Sequence, residues 1–285
     1  NYNVTVGDEA GTALTTGDQN VFVGYAAGDA TTTAGQNTAL GHNALGANIT
    51  GAYNTALGRA ALELNTGGSN TAVGGDALTA NTSGASNTAV GISALDANTT
   101  ASNNTGVGAN ALGANTTGAQ NTAVGSLSLD ANTTGYYNQA FGYGAVGTNT
   151  TGNHLVAMGF EALGANTTGS YNVAIGNYAL DANTTADNNT GLGYSALTLN
   201  TTGTQNVGVG TNALGANTTA SNNTAVGHYA LLANTTGASN VAVGNNALDA
   251  NTTASNNTAI GAAALTANTT GAANVAVGSQ ALDAN

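Results

Sequence analysis

One five-residue stretch, Asn121-Thr122-Ala123-Val124-Gly125, recurs from end to end of the chain, and its spacing leaves few folds open. Near-copies stand at Asn87–Gly91, Asn172–Gly176, Asn223–Gly227 and Asn274–Gly278. Counted on the glycine they run Gly7, Gly24, Gly41, Gly58, Gly74, Gly91, Gly108 and on to Gly278. That is seventeen copies at a constant spacing of seventeen, with a single step of sixteen between Gly58 and Gly74. A fixed period of this size marks one supersecondary unit stacked on itself, which overrides any segment-by-segment reading. The chain is therefore expected to be one all-β parallel solenoid, a rod on the order of 80 Å long at the usual strand spacing.

Numbered from its leading Asn, the repeat carries Thr or Val at position 2, Ala or Gly at position 3 and a large aliphatic residue at position 4, closed by Gly at position 5. This short alternating run reads as a strand of four or five residues. Ala-Leu at positions 8 and 9, as in Ala111-Leu112, suggests a second, weaker extended segment. Asn-Thr-Thr-Gly at positions 12 to 15, as in Asn115–Gly118, is turn chemistry, with Asn and Gly expected to supply left-handed backbone angles. Positions 6, 7, 16 and 17 vary and are expected to face solvent. A helical reading fails because Gly and Asn-Thr-Thr return in every repeat and leave no window for three turns. Hydrophobic burial within one coil is too small to offset the ordering of that coil. Backbone ladders, Asn side-chain ladders and packing against other chains are expected to add to it. The Ala face and the Val/Leu face are both expected to be buried, one inside the coil and the other between subunits, with position 3 (Ala89, Ala123, Ala174, Ala242) or position 4 on the axis of a trimer.

Charge supports the stacking. Asp at position 10 occurs at Asp96, Asp130, Asp181, Asp249 and Asp283, never in adjacent coils. Like charges in register at a strand spacing are destabilising, and the sequence avoids them. The single basic residue, Arg59, against 13 acidic ones gives a net charge of −12. That excludes nucleic acid as a partner, because phosphate neutralisation by Lys and Arg supplies most of that affinity. No apolar run is long enough to span a bilayer as a helix. Without cysteine there is no disulfide framework. With one tryptic site, the chain suits a protease-exposed extracellular setting.

The Asn-x-Ala-[Val/Ile]-Gly-x-x-Ala unit, best seen at Tyr171–Gly176, resembles the head repeat of trimeric autotransporter adhesins, whose heads are left-handed parallel β-rolls. With Asn-Thr-Thr-Gly attached, it also resembles repeats of tail-fibre-type proteins of phages and bacteria. The resemblance covers essentially the whole chain, although the adhesin head repeat is shorter than the one here. It implies a left-handed β-roll, three chains wound side by side, and no catalytic residues or cofactor.

Candidate chemistry is sparse. His42 and His228 at position 6 and His154 at position 17 lie in widely separated coils, with no recurring Cys or carboxylate beside them. No nucleophile–base pair or phosphate-cradling loop is present. Six of the ten tyrosines fall between Tyr136 and Tyr194. Tyr137, His154 and Tyr171 share position 17 in three consecutive coils, and Tyr143 and Phe160 share position 6 in two. Such columns could stack on sugar faces or simply stabilise neighbouring coils. Asn-x-Thr/Ser, the formal N-glycosylation pattern, recurs at position 12, including Asn48, Asn98, Asn115, Asn132, Asn166, Asn217 and Asn251. It returns at Asn103, Asn188, Asn222 and Asn256 just before the strand. The turn is the simpler explanation of these asparagines and threonines. The paired threonines at positions 13 and 14 are expected to point in different directions, unlike a flat ice-binding face.

The sequence thus points to an extracellular, cell-surface or virion fibre segment, non-enzymatic and adhesin-like, whose partner is itself as a homotrimer or an end-to-end polymer. A carbohydrate- or ice-binding module is the alternative, with surface glycans as ligands. Residues 1–36 read as divergent coils forming a cap or junction, and 37–285 as the regular array. The C-terminal copy, Asn274–Asn285, is an ordinary repeat, so it is expected to be covered by further chain or by the N-terminal coils of a second molecule.

Overall fold

Every coil contributes one three-residue strand at positions 2 to 4, running from β1 (Val4–Val6) and β2 (Val21–Val23) to β8 (Thr122–Val124), β9 (Gln139–Phe141), β10 (Val156–Met158) and finally β17 (Val275–Val277). The computed structural model describes residues 2–283. An end-to-end junction would involve Asn1 and Asn285, which lie outside them. The chain divides into two units, residues 1–140 and 141–285. In the first, β1 to β8 pair consecutively, all parallel and in register, as with Thr105↔Thr122 and Gly106↔Ala123. In the second, β10 to β17 do the same, as with Val173↔Thr190 and Ala174↔Gly191. The fold is a parallel β-solenoid in which each coil is one sequence repeat.

The sequence is in register because position 5 cannot be anything but glycine. Its backbone stands near φ +129 to +144° in every coil, and a Cβ on Gly193 would lie 2.6 Å from the carbonyl oxygen of Gly210 in the next coil. The short coil fits the same frame. Asn70 still donates its N–H to the Asn54 side chain, 16 residues back, and Thr55 still pairs with Thr71. The missing residue is taken out of the turn, where Asn65 bonds the carbonyl two residues on rather than three.

Three expectations are corrected. The segment after the strand is not extended: positions 6 to 11 form a run of turns. The left-handed residues are not the Asn and Gly of Asn-Thr-Thr-Gly but positions 7, 9 and 17, for example Ser93, Leu95 and Asn103 at φ 52°, 54° and 63°. The interior is also divided differently. Ala at position 3, Ala at position 8 and Leu at position 9 are buried together inside the coil, as with Ala123, Ala111 and Leu112 at 0 % exposure, whereas position 11 is half-buried. Strand residues alternate between faces, so positions 2 and 4 point outward. Val90, Leu192, Val226 and Ile260 are exposed. Position 3 therefore cannot lie on an axis between subunits.

Two asparagine ladders complete the interior. At position 1 the side-chain oxygen accepts the next coil's backbone N–H, while the amide nitrogen donates to the carbonyl of position 15, as in Asn223 with Asn240 (2.9 Å) and Gly237 (2.8 Å). At position 12 the amide nitrogen bonds both the preceding coil's side-chain oxygen and the carbonyl of position 15, as in Asn115 with Asn98 and Gly118 at 2.9 Å each. A buried amide satisfied this fully is a register device, because a slipped coil would strand it.

Position 15 approaches the next coil as closely as position 5 does. A Cβ on Gly169 would meet the carbonyl oxygen of Ala186 at 2.5 Å. Alanine nevertheless stands here at Ala34, Ala101, Ala186, Ala220 and Ala254, always between coils that have glycine. The turn opens to admit it. In the glycine coil, Thr201 and Thr202 both donate N–H groups to the carbonyl of Thr218, whereas in the alanine coil only Thr184 reaches Thr201. A side chain at position 16 then adds a bond: the N–H of Ser170 is taken by Asp187, of Thr204 by Ser221 and of Ala238 by Ser255.

Candidate functional site

The outward side of the strands is a regular surface in each unit. Position 2 carries Thr, Val or Gln and position 4 an aliphatic residue, Phe or Met, in every coil; none is charged. All 13 acidic residues and Arg59 lie elsewhere in the repeat.

Acidic residues gather on the turn side. Position 10 holds not only the five aspartates expected but also Asp29 and Glu63, and no two of the seven are in adjacent coils. Gly46 between Asp29 and Glu63 leaves a groove of about 270 Å³ lined by these residues with Asn43, Ala47 and Leu64. Asn43 donates across it to the Glu63 carboxylate at 3.2 Å. Burial raises the Asp96, Asp130 and Asp181 carboxyls above the usual range, with added repulsion on Asp96 from Asp76 and Asp130 and on Asp181 from Glu161. Among the described residues no three His, Asp or Glu side chains converge as a metal cluster would require.

Each histidine is engaged on its own. His42 stacks on Tyr25 with ring centres 5.1 Å apart, and the hydrogen bond that the Tyr25 hydroxyl donates to Glu9, with the charge of that carboxylate, pushes the Tyr25 phenol up. His228 lies against Tyr229 and meets the Asn245 amide at 3.2 Å. His154 meets Asn153 at 2.7 Å.

In the second unit two aromatic pairs come together as their shared repeat positions required. Tyr143 and Phe160 stack at 5.4 Å with planes 10° apart, and His154 and Tyr171 at 4.9 Å and 18°. Tyr178, at position 7, extends the first column edge-on from Phe160 to Tyr194. Tyr137 is exposed and lies edge-on to Tyr136. In each stacked pair one face of each ring is turned toward its partner.

The asparagines sort into two kinds. Asn48, Asn98, Asn115, Asn132, Asn166, Asn217 and Asn251 are fully buried. The amide nitrogens of Asn115, Asn132, Asn166, Asn217 and Asn251 are each held by two bonds inside the coil. They are structural in the folded chain and closed to a glycan. Asn103, Asn188, Asn222 and Asn256 at position 17 are exposed. The threonines also separate as expected. Position 13 donates its hydroxyl to the next coil's carbonyl, as Thr201 does to Thr218 at 3.0 Å, whereas position 14 is exposed in most coils.

Compared with protein-family models, curated proteins and solved structures, the chain matches none of them.

Proposed function

We propose that this chain is a non-enzymatic structural segment of an extracellular fibre, in which copies lie side by side along the outward strand face. The observation that carries the reading is the uncharged strip formed by Thr, Val or Gln at position 2 and the apolar residues at position 4. A chain of net charge −12 repels its own copies through positions 6, 7, 10 and 16, where its acidic residues stand, and on the strip a second copy can approach without juxtaposing carboxylates. The strip repeats at the strand spacing, so two copies match along their length, and large exposed apolar surfaces mark such contacts. The resemblance to adhesin heads supports three chains per bundle, and the single tryptic site supports a location outside the cell. The stacked rings and bonded position-13 hydroxyls favour stabilisation of the coils over sugar or ice recognition.

The test is the oligomeric state. Light scattering with size exclusion is expected to give a multiple of the chain mass. Val209→Glu and Val243→Glu together, two coils apart so that the carboxylates are not adjacent in register, are expected to release single chains whose β-sheet circular dichroism is unchanged. An unmodified protein that remains a single chain at high concentration would overturn the proposal.

A further inference from the structure

We infer that Asn103, Asn188, Asn222 and Asn256 are N-glycosylation sites, displayed every second coil between Asn188 and Asn256. The inference rests on the extracellular reading. Their neighbours Asn104, Asn189, Asn223 and Asn257 begin the next coil and are fully buried, so each Asn-Asn-Thr sequence presents one asparagine to solvent and hides the other. Among the described residues nothing bonds the side-chain amide of the four exposed asparagines. Nothing bonds the hydroxyls of Thr105, Thr190, Thr224 and Thr258 two residues on either, and these lie half-buried at position 2. Both groups that the glycosylation pattern requires are thus available on the folded surface.

The left-handed backbone at position 17 gives asparagine a structural reason to be there, but it does not explain the threonine. Gln205 and Ser239 hold the same conformation, at φ 58° and 58°, and are followed at position 2 by Val207 and Val241. From residue 154 onward position 17 reads His, Tyr, Asn, Gln, Asn, Ser, Asn, Ala, and position 2 reads Val, Val, Thr, Val, Thr, Val, Thr, Val. Within this stretch threonine follows asparagine every time and valine follows everything else, whereas before it Thr38, Thr55, Thr71, Thr88 and Thr122 follow Gln36, Tyr53, Ser69, Ser86 and Gln120. The strand accepts either residue, since Val173 pairs with Thr190 and Thr190 with Val207 in one register. In the coils of Asn188, Asn222 and Asn256 the alternation keeps a hydroxyl two residues after an exposed asparagine. The same coils carry alanine at position 15 and Ser or Asp at position 16, so the acceptor sits on the more open form of the turn.

The reaction is a displacement. The asparagine amide nitrogen bonds to the anomeric carbon of a sugar carried on a lipid pyrophosphate. The pyrophosphate leaves with the electron pair, and the amide proton passes to a base of the transferase. The glycan would stand at the rim of the uncharged strip.

The experiment is glycopeptide mass spectrometry on protein purified from its source, cleaved with an Asp-specific protease because tryptic sites are lacking. Sugar is expected on Asn103, Asn188, Asn222 and Asn256 and absent from Asn115, Asn132 and Asn217. Thr190→Val should abolish occupancy at Asn188 alone while leaving circular dichroism unchanged, because valine already fills this position in both adjacent coils. Asn188→Gln serves as a second silent variant, since Gln205 holds the same backbone. Bare Asn188, Asn222 and Asn256, or full occupancy of Asn188 in Thr190→Val, would overturn the inference. If the bare chain still assembles outside the cell, the fibre reading stands without it; if it is recovered from inside the cell, the location falls too.

Discussion

The side-chain oxygen of Asn104 accepts the backbone N–H of Asn121 at 2.9 Å, one coil on, and Asn121 repeats the act for Asn138 at 2.9 Å while its amide nitrogen donates to Gly135 at 2.8 Å. Truncating Asn121 to alanine strands the buried N–H of Asn138, at a cost of roughly 1–3 kcal/mol, while the Gly135 carbonyl keeps its bond from the Asn132 amide. Solenoids need not unfold in one step, so the check is hydrogen exchange, expected to accelerate at Asn138 before distant coils respond. The converse exists in the natural chain. Leu155 stands at position 1, is fully buried, and offers no side-chain oxygen to the N–H of Asn172. Leu155→Asn should stabilise the array by about 1 kcal/mol and slow exchange at Asn172.

Gly193→Ala is expected to be among the most damaging single-methyl additions. Its φ of +134° is outside the range of other residues and costs roughly 1–3 kcal/mol of strain. The new carbon would also lie 2.6 Å from the Gly210 carbonyl oxygen. Failure to accumulate folded protein, or a large drop in the urea midpoint, would agree; a neutral effect would show that the coils can part.

Much of this was legible in the sequence because a period needs no propensity scale. The spacing of Gly7, Gly24 and Gly41 gave the coil, the place of its strand and the register, although the strand is three residues long and not the four or five expected. The sign of each face was not legible: Thr122-Ala123-Val124 alternates whichever side is inside, and small alanine suits a tight interior as well as a tight interface. Nor did Leu at position 9 signal a left-handed residue, since leucine rarely adopts a positive φ. Tertiary packing imposes it, burying Leu112 at 0 % exposure. The ring columns at Tyr143 and Phe160 could be placed from their shared position, but not the turning of their faces toward each other. The two kinds of glycosylation pattern look alike in sequence and differ only in burial.

Stability should rise as the pH falls from neutral toward the ordinary carboxylate range. Asp96, Asp130 and Asp181 have their carboxyls raised by burial in the folded chain. Between the unfolded value and the raised folded value the native state binds more protons, so stability is lost as the pH rises through that window. Asp18 runs the other way, lowered by the Tyr2 backbone N–H, and loses its contribution as the pH falls. Asp130→Asn should stabilise the protein at neutral pH, relieve Asp96, and flatten the dependence of the urea midpoint on pH. An unchanged slope in that variant would refute the assignment.

Phe22 and Gly28 exchange volume with the pair that fills the regular coils. Where Ala39 and Leu45 stand at positions 3 and 9 of the next coil, this coil has phenylalanine and glycine. Phe22 is fully buried, and a Cβ on Gly28 would touch its ring at 2.7 Å. Gly28 already has the left-handed backbone, φ 58°, that Leu45 holds at φ 57°. Phe22→Ala alone should cost about 3–5 kcal/mol, as for other buried rings, and Gly28→Leu alone should overpack the same space. Together they recreate the regular interior, so the double variant should recover more than half of the summed loss. The coupling will appear as strong non-additivity in a double-mutant cycle. Gly11 lies on the other side of the ring, with a Cβ there 3.1 Å from it, which is why recovery should be incomplete. Additive losses would mean that the first coils pack by a plan of their own rather than by a variant of the common one.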